Sequence, residues 1–205
     1  MSSIDPARTA LLLIGFQRDY FDPNGVLFSV VEESHRVSGT LKHTQSVIQA
    51  YIDTPMMMVN TPITFSETYS ELENPIGILK TIREVEAFKA GTFGAEVIDE
   101  ITDYGDRILE IPGKQGFNAF SNTDLDSVLR ENGVESILIA GCVTSICVNA
   151  TALQAFESGF DVTILSDCTS SRTPIEQDFF CENVFPLFAE VRTSTDIMPS
   201  GSAVG

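Results

Sequence analysis

Apolar positions along this chain fall in short unbroken runs, and amphipathic stretches separate them. Residues 10–16 read ALLLIGF, residues 137–140 read ILIA and residues 162–165 read VTIL. Short continuous apolar runs bounded by turn signals predict strands buried on both faces. Residues 55–64, PMMMVNTPIT, predict a second strand in which the methionines fill core. Residues 107–111 and 189–192 predict two more. Between them the period changes to that of a helix. Residues 30–51 predict one long helix with Val37, Leu41, Ile48 and Ile52 as its buried stripe. Shorter helices are predicted over 76–83, 94–101, 126–130 and 146–157, and one begins at Thr173-Pro174 with proline in its first turn. Strands and helices alternate throughout, with no linker or internal repeat. That pattern predicts a single doubly wound α/β domain over residues 1–205, with right-handed crossovers. From Ser200 the chain is a tail of small residues.

Residues 136–172 organise the rest. A strand ends at Gly141, a helix follows from about Ile146, and Gly159 closes it before the next strand. Cys147 sits in the first turn of that helix. A free cysteine is most often a packing residue. At a helix start beyond a central strand, however, the dipole favours a thiolate, and open α/β sheets place their ligands there.

The segment AGCVTSICVNATALQAFESGFDVTILSDC resembles the cysteine hydrolases of the isochorismatase-like superfamily, whose relatives include nicotinamidases and carbamoylsarcosine amidohydrolases. Cys147 matches the nucleophile of that pattern. Cys142-Val143 matches the place of a cis peptide bond, and the backbone N–H groups of Val143 and Cys147 would form the oxyanion hole. GKQGFNAFSNTDLDSVLRENG resembles the stretch that carries the catalytic lysine, so a residue that position alone would leave on the surface, Lys114, becomes a catalytic candidate. LLLIGFQRDYF resembles the opening motif I-D-x-Q-N-D-F, with Gln17 and Asp19 in place. The first acid of that motif is the catalytic one, and here the position is Gly15. The resemblance implies a three-layer α-β-α sandwich on a six-stranded parallel, Rossmann-like sheet in the order 3-2-1-4-5-6. It implies that Gly15, Lys114 and Cys147 meet, with Gln17, Phe21, Phe120 and Thr144 around the pocket. Asp19, Glu67 and Glu71 are the acids that could replace the missing one. An empty space beside Gly15 would let Gly15→Asp restore it.

Composition narrows the partners. A net charge of −17 argues against nucleic acid and anionic membrane, both of which need a basic face. No apolar run has the length of a membrane span, and the polar start MSSIDPARTA carries no secretory signal. The four cysteines show neither metal spacing nor the density of a small secreted domain, which suits reduced thiols in a cytoplasm. His35 and His43, the only histidines, lie on a predicted helix away from any ligand cluster, so no metal and no cofactor is expected. A small-molecule partner and a homodimer or larger homo-oligomer are expected. Two function classes stay open: an amidohydrolase acting through a Cys147 thioester, and a relative that kept the pocket as a binding or regulatory protein after losing the acid at Gly15.

Overall fold

Alternation inside the apolar runs divides the core in two. Along Thr9–Ile14 (β1) every residue is buried. Ala10, Leu12 and Ile14 enter one cluster, and Leu11 and Leu13 enter the other. Ser136–Cys142 (β4) splits likewise, with Ile137 and Ile139 on the first side and Leu138 and Ala140 on the second. Side chains of a strand point alternately to the two faces, so a run apolar at every position must be covered on both. The computed structural model, which describes residues 4–199, provides both covers. Leu125–Glu131 (α6) and Asn149–Glu157 (α7) line one face, while Thr40–Ala50 (α3) and Asp99–Thr102 (α5) line the other.

The remaining strands are Met57–Thr61 (β2), Leu109–Glu110 (β3), Asp161–Ser170 (β5) and Glu190–Arg192 (β6). All pairings are parallel, in the order β3-β2-β1-β4-β5-β6. This is the three-layer α/β arrangement the resemblance implies.

Several boundaries differ from the sequence expectation, each for a local reason. The predicted helix 30–51 is two helices, Phe28–Ser38 (α2) and α3. Gly39 between them is left-handed at φ 67°, and its N–H caps the carbonyl of His35 at 2.9 Å, so the helix cannot continue. Of residues 94–101 only the end is α-helical. Glu96 is extended and Val97 bridges Gln17, which holds this stretch as a strap. The strand predicted over 107–111 shrinks to two residues. The Arg107 guanidinium is used instead to hold four carbonyls, those of Tyr51, Ile52, Thr54 and Met56. The small-residue tail from Ser200 lies outside the described residues.

Gln17 ties three segments together where β1 ends. Its amide nitrogen donates to the carbonyls of Ile63 (2.8 Å) and Ala95 (2.7 Å), and its amide oxygen accepts from the Ile63 N–H (2.8 Å). The side chain is fully buried. Gln17→Ala leaves three backbone groups without partners in a dry place, each worth about 1–3 kcal/mol when unsatisfied. The expected loss of stability is about 3–5 kcal/mol, measured from the urea midpoint at unchanged slope, and a loss below about 1 kcal/mol would show that water replaces the clamp.

Candidate active site

The carboxyl ends of β1 and β4 touch through backbone. Gly141 adopts φ 120°, and a Cβ there would lie 1.9 Å from the Ile14 carbonyl oxygen, so only glycine fits. Cys142 follows, and the Cys142–Val143 peptide bond is cis. Thr144–Val148 then forms a wide π-type turn that runs into α7. Cys147 lies in this turn and is 6% exposed. Lys114 arrives from the segment after β3. Its backbone forms a parallel bridge with Ile63, and its carbonyl accepts from the Thr64 N–H at 3.1 Å. Lys114 is 1% exposed, with its Nζ 3.7 Å from the Cys147 sulfur and 2.7 Å from the Gly116 carbonyl oxygen. Among the described residues no carboxylate pairs with it.

These groups face an enclosed cavity of about 10 Å³, room for about one water molecule. Lys114, Cys142, Cys147 and Tyr20 are its ionisable lining; Gly15, Ile63, Ile78, Ile82, Phe117, Val143 and Ile146 supply the rest. Ile78 and Ile82 belong to Gly77–Glu84 (α4), a helix of which only Ile82 is buried. Left-handed residues mark both ends, Asn74 before it and Gly77 at its first position, Glu86 and Phe88 after it. Burial pushes the Cys142 thiol well above its usual range, a charge on Cys147 pushes further, and Lys114 opposes both.

Of the expected residues, Gly15, Lys114, Cys142, Val143 and Cys147 come together. The empty space that a degraded hydrolase would leave for a carboxylate at Gly15 is partly taken by Cys142. Gly15 is left-handed at φ 73°, and a Cβ there would lie 2.8 Å from the Cys142 carbonyl oxygen and 3.3 Å from its sulfur. The Cys142 thiol also donates to the Gly15 carbonyl at 3.6 Å. Gly15→Asp therefore strains the turn rather than simply restoring an acid. Asp19 lies outside the cavity lining, buried, with one oxygen accepting from the Phe88 N–H (2.7 Å) and the other from the Val26 N–H (3.2 Å). Glu67 is exposed. Glu71 is exposed too, and accepts from the Ser66 N–H and hydroxyl and from Gln115. None of these three acids reaches the cavity lining.

The other expected pocket residues serve the fold. Gln17 is the clamp after β1. Phe21 stacks on Phe16 at 5.0 Å and meets the His35 ring edge-on at 5.1 Å. Phe120 packs toward Phe160 in the core on the α6 side. Thr144 is buried and donates to the Gln177 side-chain oxygen at 2.6 Å. Sequence reasoning missed Tyr20 and the apolar cover from α4. Tyr20 stands where the opening motif closes on Phe, which was the available signal; α4 sits in a stretch without long periodicity.

A wider cleft of about 800 Å³ opens at the other end of the sheet, beside the Arg8–Glu135 ion pair and Phe156. It lies at the amino ends of β1, β4 and β5, the end opposite to the one where open α/β sheets place their ligands, and its lining holds no cysteine. No group of three His, Cys, Asp or Glu side chains among the described residues is placed to share a metal ion. Among those residues no helix is long and apolar enough to cross a membrane.

The fold has close relatives among solved structures. A cysteine hydrolase from Pseudomonas syringae pv. phaseolicola 1448A superposes with a TM-score of 0.83 at 22% identity, over 96% of this chain and 93% of that one. N-carbamoylsarcosine amidase from Thermoplasma acidophilum gives 0.71 at 22%, over 97% and 99%. The pyrazinamidase of Pyrococcus horikoshii, solved in complex with zinc, gives 0.73 at 24%, over 91% and 99%. The isochorismatase domain family matches residues 9–196. With that match spanning nearly all of its length, the chain belongs to the isochorismatase family, whose members include hydrolases such as amidases.

Proposed function

We propose that this chain is a cysteine hydrolase of small amides or related carbonyl compounds, working through a thioester at Cys147. The observation that carries this is the buried Lys114. An ammonium removed from water is costly unless a charge or strong acceptors compensate it. Here its neighbours are the Gly116 carbonyl and the Cys147 sulfur. A thiolate supplies the missing negative charge, and the ammonium stabilises that thiolate in return. The Cys147 sulfur attacks the carbonyl carbon, and the N–H groups of Val143 and Cys147 receive the oxyanion. The C–N bond breaks, the leaving nitrogen takes up a proton, and water then cleaves the thioester. The apolar lining and the small volume favour a short, uncharged acyl group, and α4 must shift to admit it.

Gly15, and a cavity lining without a carboxylate, favour a second reading, a binding protein that lost the chemistry. Ammonia release separates the two. On a panel of small primary amides the wild type is expected to turn over, and Cys147→Ala to lose activity by at least about 10³-fold. A wild type silent across the whole panel supports the binding protein.

Thiol reactivity tests the ion pair without a substrate. Burial, with Asp178 and Glu182 adding to it, pushes the Cys181 thiol up to about 12, although this residue is partly exposed. Burial also pushes Cys142 and Cys168 well up. Iodoacetamide near neutral pH should label Cys147 before the other three, as read by peptide mapping, and Lys114→Met should remove that preference. Equal labelling of all four, or labelling only after unfolding, would rule out a standing thiolate.

We also propose that the chain self-associates. Leu153 and Phe156 of α7, with Ile175 and Phe179 of Pro174–Phe179 (α8), are large apolar side chains exposed on the surface. Sedimentation at micromolar concentration is expected to give at least a dimer; a monomer there excludes it.

A further inference from the structure

Tyr20 lines the same cavity as Cys147 and Lys114, and it is 5% exposed. Its ring rests tilted against Phe88 at 5.1 Å. Its hydroxyl makes no hydrogen bond to another described residue. The turn that delivers it, Arg18–Phe21 (α1), is fixed from outside the cavity. Asp19 is held by the backbone of Phe88 and Val26, and Gln17 by that of Ile63 and Ala95. Tyr20 is thus fixed in the wall of a space about the size of one water molecule that Cys147 and Lys114 also line.

A thioester route must move one proton twice. The leaving nitrogen needs it when the C–N bond breaks, and water must lose one when it attacks the thioester. Four ionisable groups line the cavity. Cys147 is the nucleophile. Lys114 is committed to the sulfur, whose charge returns when the thioester is cleaved. The Cys142 thiol is turned toward the Gly15 carbonyl. Tyr20 is left.

We propose that Tyr20 is the proton carrier of this reaction, an inference that rests on the cysteine-hydrolase reading: its hydroxyl protonates the leaving nitrogen and its phenolate then takes a proton from the attacking water. In the first half the S–C bond forms, the C–N bond breaks, and the phenol proton goes to nitrogen. In the second half the water oxygen bonds to the acyl carbon and a water proton returns to the phenolate. The C–S bond breaks and the thiolate is restored. The sum is amide plus water giving acid plus amine. Burial raises the Tyr20 pKa well above its ordinary value, and charge on Cys147, Cys142 and Asp19 raises it further. The group is therefore a neutral donor at neutral pH, and its conjugate base is strong enough to activate water. The residue pair fits the same reading. Where the opening motif has an acid and ends on Phe, this chain has Gly15 and a hydroxyl at Tyr20.

Leaving-group chemistry isolates the role. Departing 4-nitrophenolate needs no proton, whereas a departing anilide does. With 4-nitrophenyl acetate, the wild type is expected to give a burst of nitrophenolate followed by slow turnover. Tyr20→Phe should keep the burst rate within about threefold but lose about 10²–10⁴-fold in hydrolysis of the acetyl-enzyme and in turnover of 4-nitroacetanilide. Tyr20→Phe that deacylates at the wild-type rate overturns the proposal. A second variant keeps hydroxyl and shape: 3,5-difluorotyrosine in place of Tyr20 weakens the phenolate as a base and should slow deacylation, and an unchanged rate overturns the proposal as well. No burst in the wild type, or a burst that survives Cys147→Ala, overturns the cysteine reading itself and the role of Tyr20 with it.

Discussion

A lysine ammonium almost wholly removed from water, 3.7 Å from a cysteine sulfur, is the constraint on which this site depends. Desolvating a cation is among the larger costs a fold can bear, and a single carbonyl, that of Gly116, compensates only part of it. The rest is met most simply by negative charge on Cys147. In the proposed reading stability and reactivity are coupled: negative charge on Cys147 would both compensate Lys114 in the interior and make the sulfur a nucleophile. The same pair is why a purely passive pocket explains the site less well. An apolar ligand would be better served by apolar neighbours, and an anionic one would have to displace the thiol from the ammonium.

Everything around that pair serves its placement. The close backbone approach at Gly141 brings the ends of β1 and β4 together, so the turn after β1 and the turn carrying Cys147 share one wall. Gln17 and Asp19 then divide the labour in the first of these turns. Both are polar and buried, and both spend their hydrogen bonds on backbone: Gln17 on Ile63 and Ala95, Asp19 on Phe88 and Val26. Neither reaches the chemistry. They decide that Tyr20, rather than either of them, points to the cavity. The left-handed turn at Gly15 lets Cys142 close in where a side chain would otherwise stand.

The cover follows from packing rather than from chemistry. α4 presents Ile78 and Ile82 to the cavity, and of its residues only Ile82 is fully buried, with Leu79 partly buried beside it. Left-handed backbone at both of its ends separates it from the rigid sheet. A helix attached in this way can move with small loss of core contact, which an enclosed site of this volume requires for exchange with solvent.

The sequence by itself determined the layers, the strand count and the place of Cys147 just beyond β4. Short continuous apolar runs bounded by turn signals, such as ALLLIGF, point to strands buried on both faces, and the strand–Cys147–helix–Gly159 pattern is local. Lys114 was legible from its surrounding motif, although position alone would have left it on the surface. Tertiary structure decided the rest. Gln17, Asp19 and Thr144 look like pocket residues in a linear motif. Whether a polar side chain faces a cavity or feeds backbone groups depends on partners far along the chain, such as Ile63, Phe88 and Gln177. Tyr20 joined the site only because α1, anchored by those two neighbours, turns it inward. The gap expected beside Gly15 is partly taken by Cys142 at the end of β4. Helix and strand periods are properties of neighbouring residues, and a sequence displays them directly. The aim of one side chain is set by long-range contacts, and these exist only once the chain has folded.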